Sequence, residues 1–214
     1  AYAARGVITV FTDEGNWVVP PQRGIWVPAQ VQHSMHMRGP VTMLNTYIHP
    51  QAGQRLGLAA HCQVVEVSPL LRQLLMKAIH VPTHYHLMGL LLHEIAAMPA
   101  LSLNAPLPKE PRLAQACREF LAHPSQEISI DAMAQRSAMS RRTFTRLFRL
   151  HTGISYLQWR QQACLLAAVA RLGNGEPVTQ VALELGYSSS SAFATVFKRV
   201  LGEVPSRYVV GQPL

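Results

Sequence analysis

The chain has 214 residues, 49% of them hydrophobic, and a formal net charge of +8, a size that can bury a core and favours two domains. No apolar run approaches the ~20 residues of a membrane span and no signal peptide opens the sequence, so we expect no membrane partner. The three cysteines, Cys62, Cys117 and Cys164, are widely spaced in apolar surroundings. That pattern argues against disulfides and a zinc site and favours a cytoplasmic protein.

Residues 1–67 are predicted to form a small β domain. Short apolar runs alternate there with breaks rich in Pro, Gly and Gln, and the turn at Asp13–Asn16 indicates a hairpin. The expected strands are Gly6–Phe11, Trp17–Val19, Gly24–Val27, His33–Met37 and Val41–Ile48.

The segment Pro20–His33 is similar to the second motif of cupin barrels, a glycine followed after five residues by Pro-x-Gly-x-x-His. Pro28 and His33 fit this motif, and Gln30 stands where a cupin has glycine. The paired histidines that a cupin places before Gly6 are absent, so the resemblance implies an incomplete cupin-like barrel, truncated at its N-terminus. His33 then has too few partners for a metal, and we expect none; the alternative for His33 is a polar residue at the barrel mouth.

Two helices are predicted over residues 68–103. Ser68 is a good N-cap and Pro69 a good first helical residue for a helix ending near His80. A second helix from about His84 to Met98 places apolar residues on one stripe, formed by Leu87, Leu90, Leu91, Ile95 and Met98. This stripe either packs on the barrel or pairs with its copy in a homodimer. The Pro-rich segment Leu101–Pro111 is predicted to be a linker.

Residues 104–214 contain two related modules. The run Met139–Gly153 superimposes on a run 49 residues later, which pairs Phe144 with Phe193, Phe148 with Phe197 and Gly153 with Gly202. Each module is predicted to be a short helix, a turn and a second helix. The expected N-caps are Ser129 and Ser140 in the first module and Thr179 and Ser189 in the second, where Gly186 supplies a left-handed residue in the turn.

In each module, the exposed face of the second helix predicts binding to double-stranded DNA. Residues 104–214 carry 13 Lys and Arg against 7 Asp and Glu, and cations neutralise phosphates with release of counterions. In the first module the candidate DNA-binding residues are Arg141, Arg142, Thr145, Arg146 and Arg149. In the second module they are Ser189, Ser190, Ser191, Thr195, Lys198 and Arg199.

A helix is predicted between the modules. Ser155 and Gln158 form a capping box ahead of Tyr156–Leu172. About 18 residues give a rod of roughly 27 Å. When part of the width of each module is added to this length, the total is near the ~34 Å of one turn of B-DNA. Both modules could therefore enter successive major grooves.

Two helix-turn-helix modules on a connecting helix resemble the DNA-binding domain of the AraC/XylS family of transcription regulators. The residues that carry the resemblance are Ala182, Gly186, Tyr187, Ser191, Phe193, Phe197, Lys198, Gly202 and Pro205. Because cupin-like domains in such regulators bind a small effector, the resemblance implies a sequence-specific regulator of promoter DNA that responds to an unknown small molecule. Trp26 and His33 are the candidate effector-binding residues.

The expected fold class is therefore multidomain. An incomplete cupin-like β-barrel with two helices (1–67 and 68–103) is followed by an all-α domain of two helix-turn-helix modules joined by a linker helix (104–214). The alternative is a cupin-type metal-dependent enzyme or binding module with an accessory helical domain. His93–Ala97 lacks the second His of H-E-x-x-H and no G-x-S-x-G occurs. We thus expect no catalytic residue, no cofactor and no enzymatic activity.

Overall fold

The N-terminal half is a curled antiparallel sheet. The computed structural model describes residues 1–81 and 85–209, without the side chain of Arg38. Its strands are β1 (Tyr2–Thr12), β2 (Gly15–Val19), β3 (Arg23–Trp26), β4 (Ser34–Leu44), β5 (Gln63–Glu66), β6 (Ala100–Leu101) and β7 (Asn104–Pro106). They follow the order β6-β5-β3-β1-β2-β7, and β4 pairs with the other edge of β1. This half-barrel confirms the predicted fold class of the N-terminal half.

The predicted hairpin is present, whereas the last two of the three strands expected after it form one strand. Thr12 pairs with Gly15 at the end of the β1–β2 hairpin. The runs His33–Met37 and Val41–Ile48 merge into β4, which ends at Leu44, so the prediction of a strand to Ile48 is wrong. The β1–β4 ladder shifts register beside Gly6. Gly6 has φ of +79° and a Cβ there would lie 2.7 Å from the Pro40 oxygen, so only glycine fits.

The first half of the segment Leu101–Pro111, predicted as a linker, instead contributes two short strands to the sheet. β6 pairs with β5, and β7 pairs with β2 through Trp17 and Asn104. These strands have two and three residues, which is too short for an alternating pattern to be visible in the sequence. Their partners are distant in the sequence, so the pairing could not be predicted from local residues. A short helix, α1 (Pro50–Arg55), was also not predicted.

The two helices of the extension are confirmed and cover one end of the sheet. They are α2 (Pro69–Ala78) and α3 (Tyr85–Ala96), and the Ser68 hydroxyl caps α2 by accepting from the Leu71 amide at 3.0 Å. His84, the predicted start of the second helix, lies outside the described residues. Leu91 and Ile95 of the apolar stripe are buried in a cluster with Leu71 and Tyr2. Much of the stripe therefore packs within the chain.

The C-terminal half is helical. Its elements are α4 (Pro111–Ala122), α5 (Ile130–Arg136), α6 (Arg141–Thr152), α7 (Tyr156–Gly173), α8 (Val178–Glu184), α9 (Ser190–Leu201) and a 3₁₀ turn (Pro205–Tyr208). Ser129, Ser140 and Ser189 cap their helices, and Ser155 and Gln158 form the predicted capping box. Thr179 is not an N-cap, because α8 starts at Val178, with Pro177 in the N-cap position, and Thr179 is its second residue. Proline has a fixed φ that suits the start of a helix, so the helix begins directly after Pro177 and before Thr179.

The connecting helix α7 joins the two halves in one core. Its Trp159 is fully buried and donates from Nε1 to the Pro106 oxygen in β7 at 2.7 Å. At its other end, a Cβ on Gly173 would lie 2.0 Å from the Cγ2 of Val7 in β1. The side chain of Val7 thus packs directly on the backbone of α7 at Gly173. No helix in the described part of the chain is long and apolar enough to cross a membrane.

Candidate nucleic-acid interface

The first module orients a basic helix face toward solvent. Phe144 and Phe148 of α6 are essentially unexposed and stack on each other with ring centroids 5.3 Å apart. Both rings meet Tyr156 of α7 edge to face. Because these residues fix the buried side of α6, the opposite side is exposed, and it carries all five predicted residues, Arg141, Arg142, Thr145, Arg146 and Arg149.

The cations of this face differ in their partners. Arg141 pairs with Asp131 of α5 at 3.1 Å, and both side chains are exposed, so the pair contributes little stability. Across residues 1–81 and 85–209, no side-chain hydrogen bond or ion pair engages Arg142, Arg146 or Arg149. Thr145 donates its hydroxyl to the Arg141 carbonyl at 2.8 Å. Three guanidinium groups therefore keep all their donors for a ligand.

The second module has the same frame with a different surface. Its core is a series of edge-to-face rings from Tyr187 through Phe193 and Phe197 to Tyr208, with centroids 5.2 to 5.3 Å apart. The Ser189 hydroxyl accepts from the Ala192 amide at 3.1 Å. The exposed predicted residues are Ser189, Ser191, Thr195, Lys198 and Arg199, and Ser190 is half-buried. Thr195 donates to the Ser191 carbonyl, so short hydroxyl side chains cover the first turns of α9 and cations its last turn.

Both recognition helices end in the same way. Gly153 after α6 has φ of +77° and Gly202 after α9 has φ of +80°. The backbone amide of each glycine donates to a carbonyl of the last turn, that of Arg149 or of Lys198. Left-handed glycine closes a helix without a steric penalty. The matching ends confirm the repeat that the sequence predicts.

Polar contacts that the sequence did not suggest hold the second module in place. Arg171 at the end of α7 donates from Nε to Glu176 at 2.7 Å and pairs with Glu184 of α8. The backbone amide of Gln126, in the segment between α4 and α5, donates to the Leu185 carbonyl at 2.9 Å. Its side chain reaches the Tyr187 hydroxyl at 3.3 Å. Apart from Arg171 and Glu176, the partners are 13 to 61 residues apart, so no local pattern could have revealed these contacts.

The two predicted effector-binding residues are not brought into one cavity. Trp26 donates from Nε1 to the Ala59 carbonyl at 2.7 Å and lines an apolar cavity of 50 Å³ between the sheet and α2 and α3. His33 is exposed, and its Nδ1 lies 2.9 Å from the Val31 oxygen. A role of either residue in effector binding stays a prediction. Within the described ranges, no cluster of three or more His, Cys, Asp and Glu is placed to hold a metal ion.

The fold and the exposed faces of α6 and α9 together define the class of this protein. It is a helix-turn-helix DNA-binding protein in which a sheet domain precedes two helix-turn-helix modules. Comparisons with known proteins agree. The sequence profile of the AraC-like ligand binding domain matches residues 1–96, and that of a helix-turn-helix domain matches residues 133–209.

The HTH-type transcriptional regulator NimR of Escherichia coli K12 is 32% identical over 214 residues, covering 97% of this chain and 77% of NimR. The regulatory protein SoxS of Salmonella typhimurium is 36% identical over 87 residues, 40% of this chain and 81% of SoxS. Among solved structures, the DNA-binding domain of AdpA in complex with a target DNA is similar over 45% of this chain and 88% of its own, with 36% identity and a TM-score of 0.43.

The chain belongs to the AraC family of DNA-binding transcription regulators, with an AraC-like ligand-binding domain followed by a helix-turn-helix domain. The predicted family, fold class and regulatory function are confirmed. The family is one of transcription regulators, which are not enzymes.

Proposed function

We propose that the two modules have different roles in promoter recognition. Helix α6 selects the base sequence, and helix α9 binds phosphates. The observation that carries this proposal is the contrast between their exposed faces. On α6, Arg142, Arg146 and Arg149 are exposed and free of protein partners in the described ranges. On α9, the first turns offer Ser190, Ser191 and Thr195.

Base selection follows from the chemistry of the arginines. A guanidinium group can donate two parallel hydrogen bonds to the O6 and N7 of guanine, which contributes ~1–3 kcal/mol of discrimination. Arg142 and Arg146 are one helical turn apart on the solvent face of α6, so both can reach the floor of one major groove. Thr145, between them, can contact a base with its methyl group or hydroxyl.

Phosphate binding follows from the position of the polar groups on α9. The backbone amides of its first turn, at Ser190 and Ser191, have no carbonyl partner within the helix and attract an anion. Lys198 and Arg199 are exposed in the last turn. Such contacts position the protein on the duplex without selecting a sequence.

The test compares two single variants on a duplex selected by the protein from a random pool and on a scrambled duplex. We expect Arg146→Ala to reduce the preference for the selected duplex by about tenfold, the lower part of the range for a lost guanine contact. Lys198→Ala should weaken both duplexes equally. Arg55→Ala and Lys77→Ala, exposed cations of the N-terminal half, are the matched controls. Equal loss of preference from Arg146→Ala and Lys198→Ala would contradict the division of labour.

The N-terminal half is proposed to sense a small-molecule effector, with 1–67 as sensor, 68–103 as helical extension and 104–214 as DNA-binding unit. Its match to a ligand-binding domain supports this role. The protein acts in the cytoplasm, where promoter DNA lies, and regulates without catalysing a reaction.

A homodimer is proposed through the helical extension. Leu70, Met76 and Ile79 of the α2 region and Leu90 of α3 are each more than 40% exposed, and apolar side chains so exposed favour association. Sedimentation of the protein and of an Ile79→Glu, Leu90→Glu double variant tests this. A monomer for the unaltered protein at all concentrations would contradict it.

A further inference from the structure

A large cavity lies between the sheet and the helical half. Its volume is 540 Å³, within the ~300–1,000 Å³ typical of small-molecule sites. Strands β1, β2 and β4 line one side, and α7, α8 and the segment after α4 line the other. An occupant would therefore touch both the sensor and the DNA-binding unit.

One part of the cavity lining is apolar. Its lining includes Val7, Phe11 and Val18 from the sheet and Leu166, Ala167 and Ala170 from α7. The Phe11 ring meets His36 edge to face at 5.1 Å, so an aromatic wall is available for a planar group. Such a surface favours an occupant with an apolar body.

The charged residues of the lining favour a cation. Arg171 and Glu184 line it, and Arg171 is bound by Glu176 as well as by Glu184. One guanidinium group thus faces two carboxylates, which leaves an excess negative charge and no unpaired cation in this group for an anionic ligand. Glu184 stays ionised, because hydrogen bonds from Gln180 and Arg171 lower the pKa of its carboxyl.

We propose that this cavity is the effector site and that it accepts an apolar, preferably aromatic, molecule carrying one protonated amine. The amine donates to the Glu184 carboxylate and to the Asn174 side chain, which also lines the cavity. This inference rests on the proposed role of the protein as an effector-responsive regulator.

A ligand in the cavity would contact the second module directly. Glu184 belongs to α8, and its pair with Arg171 is a link between α7 and α8. An amine that shares the Glu184 carboxylate weakens this link and changes the position of the second module relative to the first. Because both modules bind one duplex, their relative position affects DNA affinity.

The test uses three probes that share a naphthyl group: 1-naphthylmethylamine, 1-naphthalenemethanol and 1-naphthylacetate. Calorimetry on the 214-residue chain should give an affinity for the amine about tenfold above that for the carboxylate, as expected for one partly screened charge contact. The alcohol should fall between them. No binding of the amine, or equal binding of amine and carboxylate, would overturn the proposal.

Two variants locate the binding. Ala167→Phe fills the cavity and should abolish binding of all three probes, while Leu157→Phe adds the same ring on an exposed position of α7 and should leave binding unchanged. Glu184→Gln exchanges the carboxylate for an amide of the same shape on a side chain that is 52% exposed, and it should remove the preference for the amine but keep binding of the alcohol. Unchanged amine preference in Glu184→Gln would contradict the assignment even if Ala167→Phe misfolds.

Failure of this inference is separable from failure of the proposed function. DNA binding by the same samples is measured on the selected duplex without any probe. Intact, Arg146-dependent DNA binding together with absent probe binding overturns only the cavity assignment. Loss of the division of labour between α6 and α9 overturns the proposed function, whatever the probes do.

Discussion

At the scale of single residues, burial controls the chemistry of the three thiols. Burial raises the pKa of Cys117 and of Cys164 to about 12. Burial, with a smaller effect of the Glu14 charge, raises the pKa of Cys62 to about 11. The thiolate is the reactive form, so a thiol reagent at neutral pH should label none of them in the folded protein and all three in denaturant. Rapid labelling of Cys117 or Cys164 in the folded state would contradict their burial.

The same shifts predict loss of stability in alkali. The ordinary thiol value is 9.0, and the folded value for Cys117 and Cys164 is about 12. A group with a raised folded pKa binds its proton more tightly in the folded state, so its stabilisation is complete below pH 9.0 and is lost as pH rises toward 12. Denaturant titrations should show a midpoint that falls across this range. A Cys117→Ala, Cys164→Ala variant should lose less stability over the same range.

Two glycines with the same φ allow the cost of backbone strain to be distinguished from the cost of steric crowding. Gly186 and Gly202 both have φ of +80°. A Cβ on Gly186 would lie 3.0 Å from the Ser125 hydroxyl oxygen and 3.1 Å from Glu127 Cγ, whereas a Cβ on Gly202 would meet nothing within 4 Å. Gly202→Ala should cost about 1 kcal/mol from the left-handed backbone. Gly186→Ala should cost about 1 kcal/mol more because the neighbours must move; equal unfolding free energies would mean that the segment between α4 and α5 adapts freely.

At the scale of elements, Gly173 sets the distance between α7 and β1. Gly173→Ala would place a methyl group 2.0 Å from Val7 Cγ2, and we expect a loss of about 1–3 kcal/mol in the free energy of unfolding. The matched control is Gly89→Ala in α3, which meets nothing within 4 Å and should stabilise by up to about 1 kcal/mol. Adding Val7→Ala to Gly173→Ala should recover part of the loss, and simple additivity of the two changes would contradict a direct contact.

Elements with strong local determinants were predictable from the sequence. Serine caps, apolar spacing and left-handed glycines lie within a few residues of the helices that they define, which is why α5, α6, α7 and α9 were located closely. β5, β6 and β7 were missed, because they are short and exist through pairing with residues far away in the sequence. The exposed arginines of α6 follow from the same helical spacing. The cavity and the pair between Arg171 and Glu184 depend on tertiary packing and have no local pattern.

At the scale of the whole molecule, the connecting helix serves both halves. One side of α7 packs on the first module, since Tyr156 contacts Phe144 and Phe148. Another side packs on the sheet through Trp159 and Gly173. The sheet can therefore influence DNA binding through α7 without any contact of its own with DNA. Coupling of this kind requires that a ligand favour one arrangement of the two halves over another.

The independence of the DNA-binding half is the corresponding prediction. Because β7 ends at Pro106, the fragment to make is 107–214, without the strand that the boundary at residue 104 includes. Each module keeps its own aromatic core in this fragment, so we expect it to bind the selected duplex with an affinity that falls steeply with salt. Its thermal stability should be lower than that of the full chain, since the sheet-facing side of α7 becomes exposed. Lys198→Ala should reduce the slope of log affinity against log salt by about one in fragment and full chain alike. A fragment that is folded but fails to bind at low salt, while the full chain binds, would show that the sheet is needed to hold the modules at the spacing of two major grooves.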